Sequence, residues 1–233
     1  TEASSYEFSF DGGEYTKYTN GSYVYTDLAP SSKHTISIRL EGQEEPFYSE
    51  DIWTEVGDNI NGIMNSASLT FGGTLGLNYY VTLDDIVKND PDAYAEYTIG
   101  SVTKRQLVSD TTVDSKGRNK FTCPVYATQM NDNINFKLYN GNGKQYNTQS
   151  SKGTNLTESG FNYSVAAYCN AIISSSSNSK MVKLAKATLD YGISAQLYFN
   201  YNASGLAVSS DVTAVKASVF DQYKATVSGT KPT

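Results

Sequence analysis

His34 is the only histidine of the chain and sets the first limit on its chemistry. Ser-His-Asp catalysis, which needs a base beside its nucleophile, would hang on this one residue. His34 opens a strand pattern with Ile36 and Ile38, which reads as a structural corner. A metal site built from several histidines is excluded by count. No Gly-x-Ser-x-Gly elbow occurs, and the Ser-x-x-Lys matches at Ser101 to Lys104 and Ser177 to Lys180 lack companion motifs. Glycosidases need only two carboxylates, and 24 acidic side chains are present, so a carboxylate pair stays open. The acids gather at Glu44-Glu45, Asp84-Asp85 and Asp90-Pro91-Asp92, which read as solvated turns. No spaced Asp-x-Asp-x-Asp-Gly loop marks calcium, although a site of scattered oxygens stays open. The expectation is a chain with no catalytic residue, no metal and no cofactor.

The other unusual chemistry is aromatic: 19 Tyr, nine Phe and one Trp. Rings serve sugars by stacking on their C–H faces while a polar rim fixes orientation. Phe8, Phe71, Tyr79, Phe121, Tyr168 and Phe199 fall at inward positions and read as core. Among outward candidates Trp53 leads, lying between two β regions. Tyr80 shares a face with Asn78 and Thr82, Tyr146 follows a Gly-Asn turn, and Tyr18, Tyr23 and Tyr25 cluster in a Thr-rich stretch. The candidate ligand-binding set is therefore Trp53, Tyr80 and Tyr146 with Asn78, Asp58 and Lys144 as polar partners by closeness in sequence. For each ring the opposing reading is partial burial with a wet hydroxyl.

The bulk of the chain is polar but weakly charged. Asn, Ser and Thr abound, which suits an extracellular setting and neutral ligands such as oligosaccharides or polysaccharides. AT-rich codon usage gives the same composition, and both readings stand. A net charge of -6 and three arginines argue against nucleic acid, and no apolar run is long enough for membrane insertion. Sequons at Asn20, Asn155, Asn162 and Asn202 are expected by chance in such a chain. Cys123 shares a strand face with Phe121 and Val125, and Cys169 a helical face with Val165 and Ile172; both read as core, paired or free.

The elements that must position these residues form an α+β fold, mostly antiparallel sheets in a sandwich-like arrangement, with a C-terminal αα-hairpin on the sheet. Residues 1–57 read as a β segment, with Tyr6, Phe8 and Phe10, then Tyr23 and Tyr25, then Ile36, Ile38 and Leu40 alternating. Residues 58–66 read as a polar connector. Residues 67–228 form a β-rich unit in which Leu77, Tyr79, Val81 and Leu83 share one face, Asn140-Gly141-Asn142-Gly143 turns a hairpin, and helices span about 163–174 and 179–199. Ser179 is the expected cap of the second helix, with Met181, Leu184, Ala185, Thr188, Gly192, Ala195 and Phe199 on its buried face. Residues 208–227 are expected to add a strand or two, and 229–233 to begin a linker.

Two resemblances follow from these residues. Leu28-Ala29-Pro30 before His34-Thr35-Ile36-Ser37-Ile38 resembles the corner of a fibronectin-III-like sandwich, at about half a domain's length and with His34 in place of the corner tyrosine. Ala67-Ser68-Leu69-Thr70-Phe71, Gly76-Leu77-Asn78-Tyr79-Tyr80-Val81, Tyr163-Ser164-Val165-Ala166-Ala167-Tyr168 and Asp190-Tyr191-Gly192 resemble a surface or adhesion module of gut-dwelling Gram-positive anaerobes. Such modules sit beside dockerins and carbohydrate-binding modules in secreted or wall-anchored multidomain proteins, and the starch-adherence proteins of amylosomes are similar in style. The resemblance implies a secreted or cell-surface protein acting beside other modules, a non-catalytic role, and starch-type α-glucan as ligand; the chain itself is expected to be a monomer. A protein-interaction or spacer module and a two-carboxylate hydrolase are the alternatives.

Overall fold

The computed structural model describes residues 5–202. Its first sheet contains β1 (Tyr6–Phe10), β2 (Thr16–Lys17), β3 (Lys33–Leu40) and β4 (Tyr48–Trp53), all antiparallel in the order β2-β1-β3-β4. Strict alternation gives this sheet two unlike faces. Phe8 and Phe10 pair with Ile38 and Ile36 on one face. On the other, Arg39 meets Glu7 at 2.8 Å, Thr35 donates to Asp51 at 2.7 Å, and Lys33 meets Asp51 at 2.8 Å. The alternation of Tyr23 and Tyr25 does not make a strand. Residues 18–28 instead cross the apolar face as a strap, with Tyr23 packed on Phe8 at 4.2 Å and Tyr25 stacked on Phe10 at 3.9 Å. Asn20 and Asp27, at φ 61° and 60°, bend the strap near its two ends.

The larger unit contains β5 (Gly62–Thr70), β6 (Gly76–Leu83), α1 (Asp85–Asn89), β7 (Tyr94–Ile99), β8 (Val102–Leu107), β9 (Thr112–Val113), β10 (Asn119–Pro124), β11 (Ile134–Tyr139), β12 (Thr148–Ser150) and β13 (Phe161–Tyr163). A five-stranded sheet runs β12-β5-β6-β10-β9 and a four-stranded one β13-β11-β7-β8. All pairs are antiparallel except β12 with β5. The buried face of β6 carries Leu77, Tyr79, Val81 and Leu83, none more than 2% exposed. Tyr79 meets Phe136 of β11 at 5.1 Å and Tyr97 of β7 at 6.1 Å, so the core lies between these two sheets.

Three expectations shift here. The connector is shorter than 58–66, because Asn61 and Gly62 already donate to the Asn147 carbonyl and β5 begins at Gly62. Asp84 is not part of a wet turn, because it caps α1 through a bond from Val87 N at 3.0 Å, whereas Asp85 is solvated as expected, on the first turn of that helix. The Asn140–Gly143 turn closes, with Asn140 N bonded to Lys144 O. Beyond a bridge from Tyr139 to Gln145, however, the chain leaves for the other sheet as β12.

Helices α2 (Val165–Ser175) and α3 (Ser179–Phe199) follow, joined by residues 176–178 and packed on each other, with α2 also touching β5. Ser164 caps α2 and Asn178, not Ser179, caps α3 by accepting from Lys180 N and Met181 N. The buried stripe of α3 is centred on Ala185, Thr188, Leu189, Gly192, Ile193, Ala195 and Gln196. Met181, Leu184 and Phe199 are exposed, contrary to the spacing argument, because Met181 and Phe199 lie on the terminal turns and Leu184 at the margin of the stripe. Phe71 is half exposed beside Leu184 and is not core either. The expected strands in 208–227 and the linker at 229–233 lie outside the described residues.

One core position carries a stability prediction. Tyr79 is fully buried and its hydroxyl has no hydrogen-bond partner among the described residues. Burial pushes its phenol well above the ordinary value. Removing an orphaned buried hydroxyl relieves its desolvation cost, so Tyr79→Phe is expected to stabilise by about 1 kcal/mol. Urea unfolding midpoints would show it, and a lower midpoint for Tyr79→Phe would refute the orphan assignment.

Candidate functional site between the two units

Trp53 ends β4 on its polar face, in register with Lys33. Its six-membered ring lies against the hairpin turn of the larger unit, where a Cβ placed on Gly141 would stand 3.0 Å from Cη2 and 3.1 Å from Cζ2. The half-buried indole lines a groove of about 470 Å³ whose one wall is residues 29–33 and whose other is Asp85, Ile86, Asn89, Asp90 and Pro91. The groove thus combines one large ring with Ser, Lys, Asn and Asp side chains, the mixture that neutral polar ligands require.

Behind the groove lies a network of polar groups, centred on Asp90 within the larger unit and reaching the first unit and the connector through Asn140 and Asn147. Asp90, 7% exposed, accepts from Asp92 N at 3.0 Å, Gly141 N at 3.0 Å and the Tyr146 hydroxyl at 2.9 Å. Asn140, fully buried, donates to Ser31 Oγ at 2.8 Å across the seam. Its Oδ1 accepts from Asn142 N and Lys144 N, which fixes the turn that touches Trp53. Asn147 donates to the Gly57 and Asn59 carbonyls at 2.6 and 3.2 Å. Satisfying every partner of such a network makes the seam a defined joint and not a loose contact.

The candidate residues divide accordingly. Trp53 and Lys144 come to the same seam, Lys144 exposed and 4.0 Å from Glu55. Tyr146 is there too, but as a fully buried hydroxyl donor to Asp90, so it offers no ring to a ligand. Burial, with the Asp90 carboxylate adding to it, pushes its phenol up. Asp58 is exposed on the connector and does not line the groove. Tyr80 and Asn78 are elsewhere, on the outer face of the five-stranded sheet. The Arg118 guanidinium covers the Tyr80 ring at 4.8 Å, and Asn78, 3% exposed, is tied to Ser68 at 3.1 Å and Thr122 at 2.8 Å. Arg118 is held there by Asp114, whose carboxyl it lowers to about 2. Neither residue is an open platform. Sequence reasoning missed Ser32, Lys33, Asn89 and Asp90; only their placement across the chain identifies them.

The first sheet carries two further features. Ser32 Oγ stands 2.6 Å from His34 Nε2, and His34 Nδ1 stands 2.7 Å from Asp11 Oδ2. The order matches a hydrolytic relay, but Ser32 Oγ is also 2.5 Å from the Ala29 carbonyl and its N–H is bonded to Thr54 Oγ1 at 2.9 Å. The Ser32 N–H is therefore not free to hold an oxyanion, and the chain of bonds ties the corner loop to β1, β3 and residue 54. His34 also holds the Asp11 carboxyl below its ordinary value, chiefly through that hydrogen bond. The larger groove, about 640 Å³, lies on the apolar face under the strap, lined by Phe8, Phe10, Ile36, Ile38 and Phe47. Nearly all of its lining is apolar, and the nearby Tyr18 and Tyr23 hydroxyls face strap and β2 carbonyls, so it suits sugars poorly.

Among the described residues no three His, Cys, Asp or Glu side chains converge as metal ligands, and no helix is long and apolar enough to cross a membrane. Cys123 and Cys169 are free and buried, and burial pushes their thiols up to about 11 and about 12.

No family model matches the chain, and no curated protein matches it significantly. Solved structures give partial likenesses. A protein described as membrane-anchored from Corynebacterium diphtheriae is 8% identical, with a TM-score of 0.25 over 50% of this chain and 28% of that one. Domains d3-d4 of the rat CD45 extracellular region are 17% identical, with a TM-score of 0.25 over 55% and 65%. SGBP-B of the Bacteroides ovatus mixed-linkage glucan utilization locus, solved with a mixed-linkage heptasaccharide, is 14% identical, with a TM-score of 0.20 over 64% and 36%. The chain spans less than two thirds of each of these three structures, and none shares its whole arrangement.

Proposed function

We propose that the chain is a non-catalytic carbohydrate-binding module, with the groove between its two units as the glycan site and Trp53 as the stacking ring. The observation that supports this is the composition of the groove: one half-buried indole facing Ser32, Lys33, Asp85 and Asn89. Stacking supplies affinity and the polar rim supplies orientation, with no covalent step. The finer reading is a starch-type α-glucan or maltooligosaccharide, bound by a secreted or cell-surface protein of an amylosome-like complex. That choice of sugar, location and company rests on the sequence resemblance alone. In affinity electrophoresis the wild type is expected to be retarded by starch, and Trp53→Ala to lose that retardation, a drop in affinity of about tenfold or more. Undiminished retardation of Trp53→Ala would discard the groove, and absence of retardation by any polysaccharide would discard the class.

A second reading, a protein-interaction or spacer module, is favoured by one specific feature, the aromatic face of the first sheet.

A further inference from the structure

We propose that this apolar face is where two copies of the chain associate, face to face about a two-fold axis. The inference goes beyond glycan binding and does not rest on it, since Trp53 belongs to the opposite face of the same sheet.

The face is unusual for an exposed surface. Tyr6, Tyr18, Tyr23, Tyr25, Phe47 and Tyr48 are each between 43% and 62% exposed, above a floor of Phe8, Phe10, Ile36 and Ile38. At the size of aromatic side chains these rings, with Leu40 and Ile52, expose on the order of 800 Å². That is the area each partner contributes to a standard stable interface, and more than a monomer's surface ordinarily leaves as one patch. The surface is also preorganised. Tyr25 lies nearly parallel to Phe10, 13° apart, and Tyr23 is held against Phe8, so ordering the strap costs little on association.

Charge decides between occupants. The strand residues of this face carry a single carboxylate, Glu50, on the edge strand β4 and bonded by the Tyr48 hydroxyl. A partner with several charges would find only Glu50 to pair with, whereas a second copy brings an equally uncharged centre and leaves both Glu50 carboxylates at the rim. An isologous contact needs only a self-complementary patch, and a face that pairs the aromatic ridge of the strap with the groove beside it meets that need. The ion pairs of the opposite face stay in water.

Sedimentation velocity on the whole chain across the micromolar range tests this. The wild type is expected to be dimeric at the upper concentrations. Phe47→Asp sets a carboxylate on the most exposed ring position of the face. It is expected to weaken the dimer about 100-fold or more, with unchanged circular dichroism. Phe71→Asp, in the separate apolar patch beside α3, is expected to leave the dimer intact. A wild type that stays monomeric, a series of larger species, a dimer that survives Phe47→Asp, or one lost in Phe71→Asp would each overturn the proposal.

Discussion

Asp90→Ala is expected to cost about 4 kcal/mol of folding stability. The carboxylate is 7% exposed and accepts three hydrogen bonds, two backbone and one phenolic. Deleting it takes the carboxylate from the Tyr146 hydroxyl, which is fully buried and left with the Ser31 side chain alone, and from the Gly141 N–H at the turn that supports Trp53. Charge-assisted bonds contribute about 1.5–3 kcal/mol each and orphaned buried donors cost about 1–3 kcal/mol, so partial relaxation still leaves a large loss. Asp90→Asn keeps one acceptor but turns an amide group toward donors, and is expected to lose about half as much. Tyr146→Phe removes one donor and is expected to lose about 1 kcal/mol. The double variant Asp90→Ala with Tyr146→Phe should fall short of the summed losses, because the orphaned hydroxyl is gone. Urea denaturation of the four variants measures this cycle. A loss below about 1 kcal/mol for Asp90→Ala would mean that water replaces the carboxylate and that the joint is not set by it.

How far the sequence carries depends on the range over which each residue finds its partners. The period-two run through Leu77, Tyr79, Val81 and Leu83 and the two C-terminal helices are local facts, so they read directly, although the cap of the second falls on Asn178 and not on Ser179. The strap is local too, yet it misleads: Tyr23 and Tyr25 alternate as in a strand while packing as lids on Phe8 and Phe10. The site fails for another reason. Tyr146 looks like a loop ring among amides, but its partner Asp90 lies 56 residues away. Tyr80 looks open beside Asn78 until Arg118, from the turn that leads into the neighbouring strand β10, covers it. Trp53 reads as a seam residue because it is the lone Trp between two β patterns, and that much needs no tertiary partner. Its neighbours Asn89 and Ser32 carry no local signal, since only the meeting of two units gives them a common groove.

Gly141→Ala is expected to cost about 2–3 kcal/mol and to change the environment of the one indole. A methyl group there would lie 2.6 Å from Asp92 Cβ, closer than two non-bonded carbons come, and 3.0 Å from Trp53 Cη2. Asp92 Cβ is fixed to the backbone and cannot swing away as the end of a long side chain would. The strain must therefore be relieved by moving the turn from the seam or by moving Trp53, and Asn140, bonded to Ser31, resists the first. Trp53 is the only tryptophan, so its emission reports the seam alone. A red shift in native Gly141→Ala, with the circular dichroism of the sheets retained, is the expected signature of an indole pushed toward water. If the groove holds the glycan, starch retardation should fall in the same variant without any change to a groove-lining side chain. Normal emission and a stability loss under about 0.5 kcal/mol would show that the turn yields freely, and that the close approach of Gly141 does not position the ring.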